Sequence, residues 1–155
     1  GKGRAVNRHT AARGLAAALA FTSIAACTTP VTMPWDERKP ALTGTVWRWT
    51  ESLIGDGTRI RPAAPERYSL EFLPDGATRV RADCNTGSGR YEMAADRRLT
   101  LGRMAVTQAA CLPGSLGEAY LKELANVSGY AFDGDNLVLM LRYDSGTMRF
   151  VALKR

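Results

Sequence analysis

Histidine is nearly missing from this chain: one residue, His9, stands in 155. His9 lies in the stretch read below as a cleaved signal, and the chain without it has no Ser-His or Cys-His catalytic pair and no imidazole metal ligand, so a large share of enzyme chemistry is excluded. Cysteine is also sparse, at three residues, too few for a metal-binding cysteine cluster or a dense disulfide framework. Long apolar runs are lacking as well. The one present, Gly14 to Ala26, has thirteen apolar or small residues, short of the roughly 20 that span a bilayer.

What surrounds that run is informative. Lys2, Arg4, Arg8 and Arg13 precede it with no acidic residue, and Ile24-Ala25-Ala26-Cys27 closes it. A basic stretch, a short apolar core and a small-small-cysteine ending resemble a bacterial lipoprotein signal. That resemblance implies cleavage before Cys27 and lipidation of its sulfur and new N-terminus. The expected organisation is a signal over residues 1–26, a Pro-rich tether over 27–41 and a folded domain over 42–155. The implied location is the cell envelope, anchored to a membrane through Cys27. The outer membrane facing the periplasm is favoured, because Thr28 replaces the aspartate that acts as an inner-membrane retention signal in some bacteria.

Removing the signal changes the charge reading. The whole chain carries +6, but the remaining 129 residues hold 17 Lys+Arg against 15 Asp+Glu and no histidine. Net basicity therefore gives no reason to expect a nucleic-acid partner. The tether, Thr28-Thr-Pro-Val-Thr-Met-Pro-Trp35-Asp-Glu-Arg-Lys-Pro40, is extended in character and cannot bury a core.

From Leu42 onward the pattern has period two, which predicts strands. Trp47 and Trp49 share one face, with Val46, Arg48 and Thr50 on the other. Tyr68, Leu70 and Phe72 alternate with polar neighbours, as do Thr78, Val80 and Ala82. Matching their faces requires Phe72 opposite Thr78 and Leu70 opposite Val80, so paired numbers sum to 150. A two-residue loop would make that sum odd. The predicted turn is the three-residue loop Pro74-Asp75-Gly76, with Gly76 left-handed and Glu71 facing Arg79 outside. Parity predicts three more hairpins: Tyr91 and Met93 with Leu101 and Leu99, Tyr130–Phe132 with Leu137–Leu139, and Leu139–Leu141 with Met148, Phe150 and Ala152. Asp133-Gly-Asp-Asn136 then reads as a hairpin turn, not a calcium loop.

The expected fold is mainly β (α+β): a small curved antiparallel sheet or barrel of seven to eight strands, arranged as one meander. One helix is inserted before the C-terminal strands. Ser115-Leu-Gly-Glu118 predicts a capping box, Leu116, Tyr120, Leu124 and Val127 a helical stripe, and Gly129 its stop. The helix is expected over one mouth of the barrel.

Cys84 and Cys111 are the cysteines left beside the anchor, and in an oxidising compartment two such residues predict one disulfide. Around them the chain reads Cys84-Asn85-Thr-Gly-Ser-Gly89-Arg-Tyr91, then Thr107-Gln-Ala-Ala110-Cys111 and a helix holding Glu118 and Leu124. Together with Leu42-x-Gly44-x-x-Trp47, this resembles the META domain of the HslJ-type heat-shock lipoproteins over about residues 42 to 153. Two positions depart from that pattern: Asp83 stands where glycine is usual and Ala109 where methionine is usual. The resemblance implies a small β-rich envelope protein associated with heat stress and novobiocin tolerance, in a family with no assigned catalytic mechanism. It also implies a likeness in fold to lipid-binding pilot lipoproteins.

No catalytic residue, metal ligand or cofactor is expected. The candidate surface is arginine on outer faces, Arg79, Arg81, Arg90, Arg97 and Arg98, with Arg103 nearby. It suits an anionic envelope partner: lipid headgroup, wall polymer or acidic protein. The expected function is a non-catalytic, lipid-anchored binding or stress-protection module, monomeric. The alternative is a carrier of an apolar ligand inside the barrel, lined by Trp47, Trp49, Tyr91 and Phe150.

Overall fold

The computed structural model describes residues 41–153. The expected signal over 1–26, the expected lipidation site Cys27 and nearly all of the expected tether lie outside the described residues.

Among the described residues, ten strands and one α-helix follow in chain order. They are β1 (Val46–Ile54), β2 (Arg59–Ile60), β3 (Tyr68–Phe72), β4 (Ala77–Ala82), β5 (Asn85–Met93), β6 (Leu99–Leu101), β7 (Ala105–Val106), α1 (Gly117–Leu124), β8 (Val127–Asp133), β9 (Asn136–Leu141) and β10 (Gly146–Ala152). Eight make the main path, ordered β6-β5-β4-β3-β1-β10-β9-β8, while the two-residue strands β2 and β7 pair with β1 and β5. The count exceeds the expected seven or eight because of these two short strands.

Going around the sheet, the strands follow chain order, and the circle joins where β1 pairs with β10, from Trp47 opposite Ala152 to Ile54 opposite Gly146. The gap falls mid-chain instead, between β6 and β8, where a single bridge links Arg98 and Gly129. The sheet is thus nearly closed, which removes most of the unpaired edge that a meander would leave open.

The hairpin registers follow the parity of the sequence. Phe72 faces Thr78, Leu70 faces Val80 and Glu71 faces Arg79; Gly76 is left-handed at φ +82°. Tyr91 faces Leu101, Tyr130 faces Leu139, and Met148 faces Leu139. In β1 the alternation is reset by a bulge between Trp49 and Glu51. The extra residue, Thr50, donates its hydroxyl to the Arg149 carbonyl at 3.0 Å. Glu51 is thereby turned outward and Ser52 inward.

Trp47, Trp49, Leu70, Phe72, Leu137, Leu139, Met148 and Phe150 are fully buried, each burial stabilising by about 1.5–3 kcal/mol. The interior is filled by these side chains. Trp47, Trp49, Tyr91 and Phe150, considered above as a ligand lining, are core; Trp49 packs edge-on to Tyr68 at 5.4 Å between ring centroids, and Tyr91 edge-on to Phe72 at 5.1 Å.

The helix departs from expectation at both ends. Its N-cap is Leu116, without a side-chain capping bond. Ser115 lies one residue before that cap, so its Oγ accepts from the Gly117 amide at 3.2 Å and not from Glu118, while the Leu116 amide donates to the Tyr68 hydroxyl at 2.9 Å. The last turn ends at Leu124; Asn126 closes it with its side chain on the Lys122 carbonyl, and Val127 already belongs to β8. Gly129 is not the stop. It lies beside a bulge in β8, where a Cβ would sit 2.9 Å from the Met140 Cε. The helix seats over the mouth where β4 ends: Gly117 packs on the Ala82 carbonyl, and Tyr120 enters the core against Trp49 at 5.0 Å between ring centroids.

Candidate functional site

The residues between Cys84 and Cys111 converge on one structure. The two cysteines form a disulfide, with Cα atoms 5.5 Å apart. Asn85 works as a fork on the backbone of Ala109, its Oδ1 accepting from the amide at 2.8 Å and its Nδ2 donating to the carbonyl at 3.0 Å. Its Oδ1 also accepts from the Thr107 hydroxyl at 2.9 Å, and that hydroxyl in turn accepts from the Thr86 amide at 3.1 Å. Gly87 then lets β7 close in, since a Cβ there would stand 2.6 Å from the Ala105 carbonyl oxygen. The segment 105–111 is in this way fastened to the start of β5.

Both departures from the usual pattern find a local account. Asp83 has φ +60°, a left-handed position that glycine fills without strain and that aspartate tolerates better than most residues. It is held by an Arg67 Nε–Asp83 Oδ1 ion pair at 2.7 Å and by its amide on the Arg67 carbonyl at 2.9 Å. At Ala109 the fork uses only main-chain atoms and the side chain is exposed, so methionine is not needed for packing under Cys111.

The fastened segment forms one wall of a groove on the outer face of the barrel. Cross-strand pairing sets two rows there: Arg48, Ser69, Arg81 and Thr86 in one, and Val46, Glu71, Arg79 and Ser88 in the other. The groove has a volume of about 710 Å³ and includes both Arg79 and Arg81. Arg79 lies 3.8 Å from Glu71, and Arg81 donates its Nε to the Asp83 carbonyl at 3.3 Å. Arg48, next along its row, has a buried Nε without a hydrogen-bond partner among the described residues.

The other predicted arginines do not join them. Arg90 sits one pair further along, opposite Ala77, and donates to the Asp75 carbonyl at 3.1 Å. Arg97 and Arg98 stand at the β5–β6 turn, where Asp96 and Arg97 are left-handed, so they are not on a strand face. Arg103 flanks a separate hollow of about 310 Å³ between the β6–β7 connection and α1, with Met104, Val106, Leu121 and Ala125. The Asp133–Asn136 segment is a hairpin turn, and Asp133 pairs with Arg149 at 2.7 Å. Among the described residues, no group of three His, Cys, Asp or Glu side chains is placed to hold a metal. No helix there is long and apolar enough to cross a membrane.

Sequence reasoning missed a polar chain inside the fold. Trp49 donates its indole N–H to Ser52 Oγ at 3.1 Å, and Ser52 donates to the Glu123 carboxylate. Burial pushes Glu123 above the usual carboxylate range despite that bond. Tyr120, whose buried hydroxyl has no partner among the described residues, is raised well above the tyrosine norm, first by burial and then by the Glu123 charge. The signal available was Glu123, an acid on the helix that carries the apolar stripe; the bulge that turns Ser52 inward had none.

A nearly closed antiparallel barrel with a helix over one mouth and a disulfide-fastened wall defines the class of this protein. The chain belongs to the META domain family, which it matches over residues 40–154. A protein from Burkholderia xenovorans solved by NMR is similar in fold, with a TM-score of 0.61, 24% identity, and coverage of 74% of this chain and 85% of that one. A DUF4847 family protein from Bacteroides vulgatus has a TM-score of 0.52 at 13% identity, covering 74% of this chain and 96% of its own. None of the curated protein sequences matches this chain.

Proposed function

We propose that this META-domain protein is lipid-anchored through Cys27 in the cell envelope, on the periplasmic side of the outer membrane, and acts by binding, without catalysis, in envelope stress. The observation that carries this reading is the groove in which Arg79 and Arg81 stand together, beside a wall held by the disulfide and Asn85. A rigid wall lowers the ordering cost of binding, and paired guanidinium groups suit an anionic partner. The disulfide is in keeping with an oxidising compartment.

The test is charge reversal in the producing cell. Arg79→Glu with Arg81→Glu should abolish the protein's contribution to survival under envelope stress, while Arg97→Glu with Arg98→Glu should preserve it. Equal survival in the two double variants would remove the groove from the function. Replacing Cys27 by Ala should abolish acyl labelling; persistent labelling would refute the anchor.

A second reading, carriage of an apolar ligand, moves from the barrel interior to the hollow beside Arg103. Met104, Val106, Leu121 and Ala125 give it apolar walls, and its volume lies near the lower end for small-molecule sites, roughly 300 Å³. Native mass spectrometry of protein extracted from its own membrane should then report a retained amphiphile, and a ligand-free protein would count against it.

A further inference from the structure

The chemistry of the groove narrows the partner. Arg79 and Arg81 are two residues apart on β4, which sets their stems on one face about 7 Å apart. That spacing matches anionic groups borne on successive units of a chain better than it matches a single small ion. Among the described residues, the hydrogen bond of Arg81 uses its Nε and Arg79 stands 3.8 Å from Glu71, which leaves both five-donor guanidinium groups further N–H donors. Between and beside them the walls carry the hydroxyls of Ser69, Thr86 and Ser88.

Such walls can both donate to and accept from a ligand that is itself rich in hydroxyls. Among the described residues the groove is lined by no aromatic side chain, and these walls offer no platform for stacking nucleobases, on which binding of single-stranded nucleic acid depends. Its aliphatic side chains are short, Val46 and Val106, and offer little apolar surface to an acyl tail. Glu71, half-buried at the base, opposes indiscriminate binding of densely charged polyanions, because a second negative charge beside it is unfavourable.

We propose that this groove is a binding site for an anionic saccharide. Carboxylate or phosphate groups on the sugar are taken by Arg79 and Arg81, and sugar hydroxyls hydrogen-bond to Ser69, Thr86 and Ser88. This rests on the binding reading above and specifies its ligand class.

The experiment is calorimetric titration of the lipid-anchored protein in neutral detergent with four probes: a galacturonic acid trimer, glucose 1,6-bisphosphate, a neutral glucose trimer and inorganic tripolyphosphate. Binding of the uronate or the sugar bisphosphate at least tenfold tighter than both the neutral trimer and tripolyphosphate is expected. Which of the two anionic sugars binds separates a carboxylate from a phosphate source. Arg79→Gln with Arg81→Gln should reduce that binding at least tenfold, Thr86→Val with Ser88→Ala severalfold, and Arg97→Gln with Arg98→Gln not at all. Near-ultraviolet circular dichroism from the buried Trp47 and Trp49 verifies that each variant is folded. Tripolyphosphate binding as tightly as the sugars would overturn the saccharide assignment and leave the anion-binding reading standing. Binding of the neutral trimer on a par with the anionic sugars would also overturn it, and binding of none of the probes would overturn both.

Discussion

At Asp83 the backbone takes φ +60°, and the side chain is almost wholly buried on Arg67. Two effects oppose each other there. Glycine would relieve the left-handed strain and lose the ion pair, whereas alanine would keep the strain and lose the pair as well. Asp83→Ala should therefore be less stable than Asp83→Gly by about 1 kcal/mol, measured from urea unfolding midpoints; equal midpoints would show that backbone conformation is not the constraint. Glu123 tests the opposite kind of burden, a charge held in a half-buried site. Its carboxyl is raised in the fold, so the folded state binds the proton more tightly than the unfolded chain does. Its contribution is fully present below the ordinary carboxylate value and is lost as pH rises through the raised folded value. Glu123→Gln keeps an acceptor for Ser52 without the charge. It should raise the urea midpoint at pH 8 relative to the parent and show a smaller fall than the parent as pH rises from 4 to 8. Parallel curves for the two proteins would refute the assignment.

Among the elements, β7 depends on its neighbours more than on itself. It has two residues and rests on the Asn85 fork, the Thr86–Thr107 bonds and the disulfide. The Cys84–Cys111 link closes a separation of 27 residues, for which chain entropy gives about 3.5 kcal/mol. Replacing both cysteines by serine should cost up to that amount and speed amide exchange at Thr107 and Ala109, leaving β8, β9 and β10 protected. Asn85→Ala should accelerate the same amides with the disulfide intact. Uniformly faster exchange across the barrel would instead mean that the fastening is global. The helix teaches a related lesson: Ser115-x-x-Glu118 has the letters of a capping box, but the helix starts one residue later, at Gly117, where the Tyr68 hydroxyl from β3 receives the Leu116 amide.

For the whole molecule, the decisive contact is between the first and last long strands. Leu153 donates its amide to the Val46 carbonyl at 2.8 Å, so the two ends of the barrel's chain are neighbours. The seam lies instead near the helix. A circular permutant that joins residue 153 to residue 42 through a short linker and opens at Pro113-Gly114 should fold to the same barrel, with native near-ultraviolet dichroism. A chain ending before Gly146 should not fold, because β1 and β9 each lose a partner and Trp49 loses Phe150. A folded truncation would show that closure is dispensable.

Much of this was legible from residue order. Period-two alternation and turn parity determined the hairpin registers, because a one-residue slip would turn Leu70, Leu139 or Phe150 out of the core. Cys84 and Cys111, the two cysteines of the folded domain, pointed to the disulfide, and the motif around them pointed to the family. What only the tertiary structure decided involves partners distant in sequence. Arg79 and Arg81 share a groove with 105–107 while Arg97 and Arg98 do not, since that depends on where β7 returns along β5. The bulge at Thr50, the left-handed Asp83 on Arg67 and the Ser52–Glu123 bond depend on neighbours that no local pattern specifies. So does the position of the seam: alternation says which side of a strand faces inward, and only the completed circle says which two strands meet.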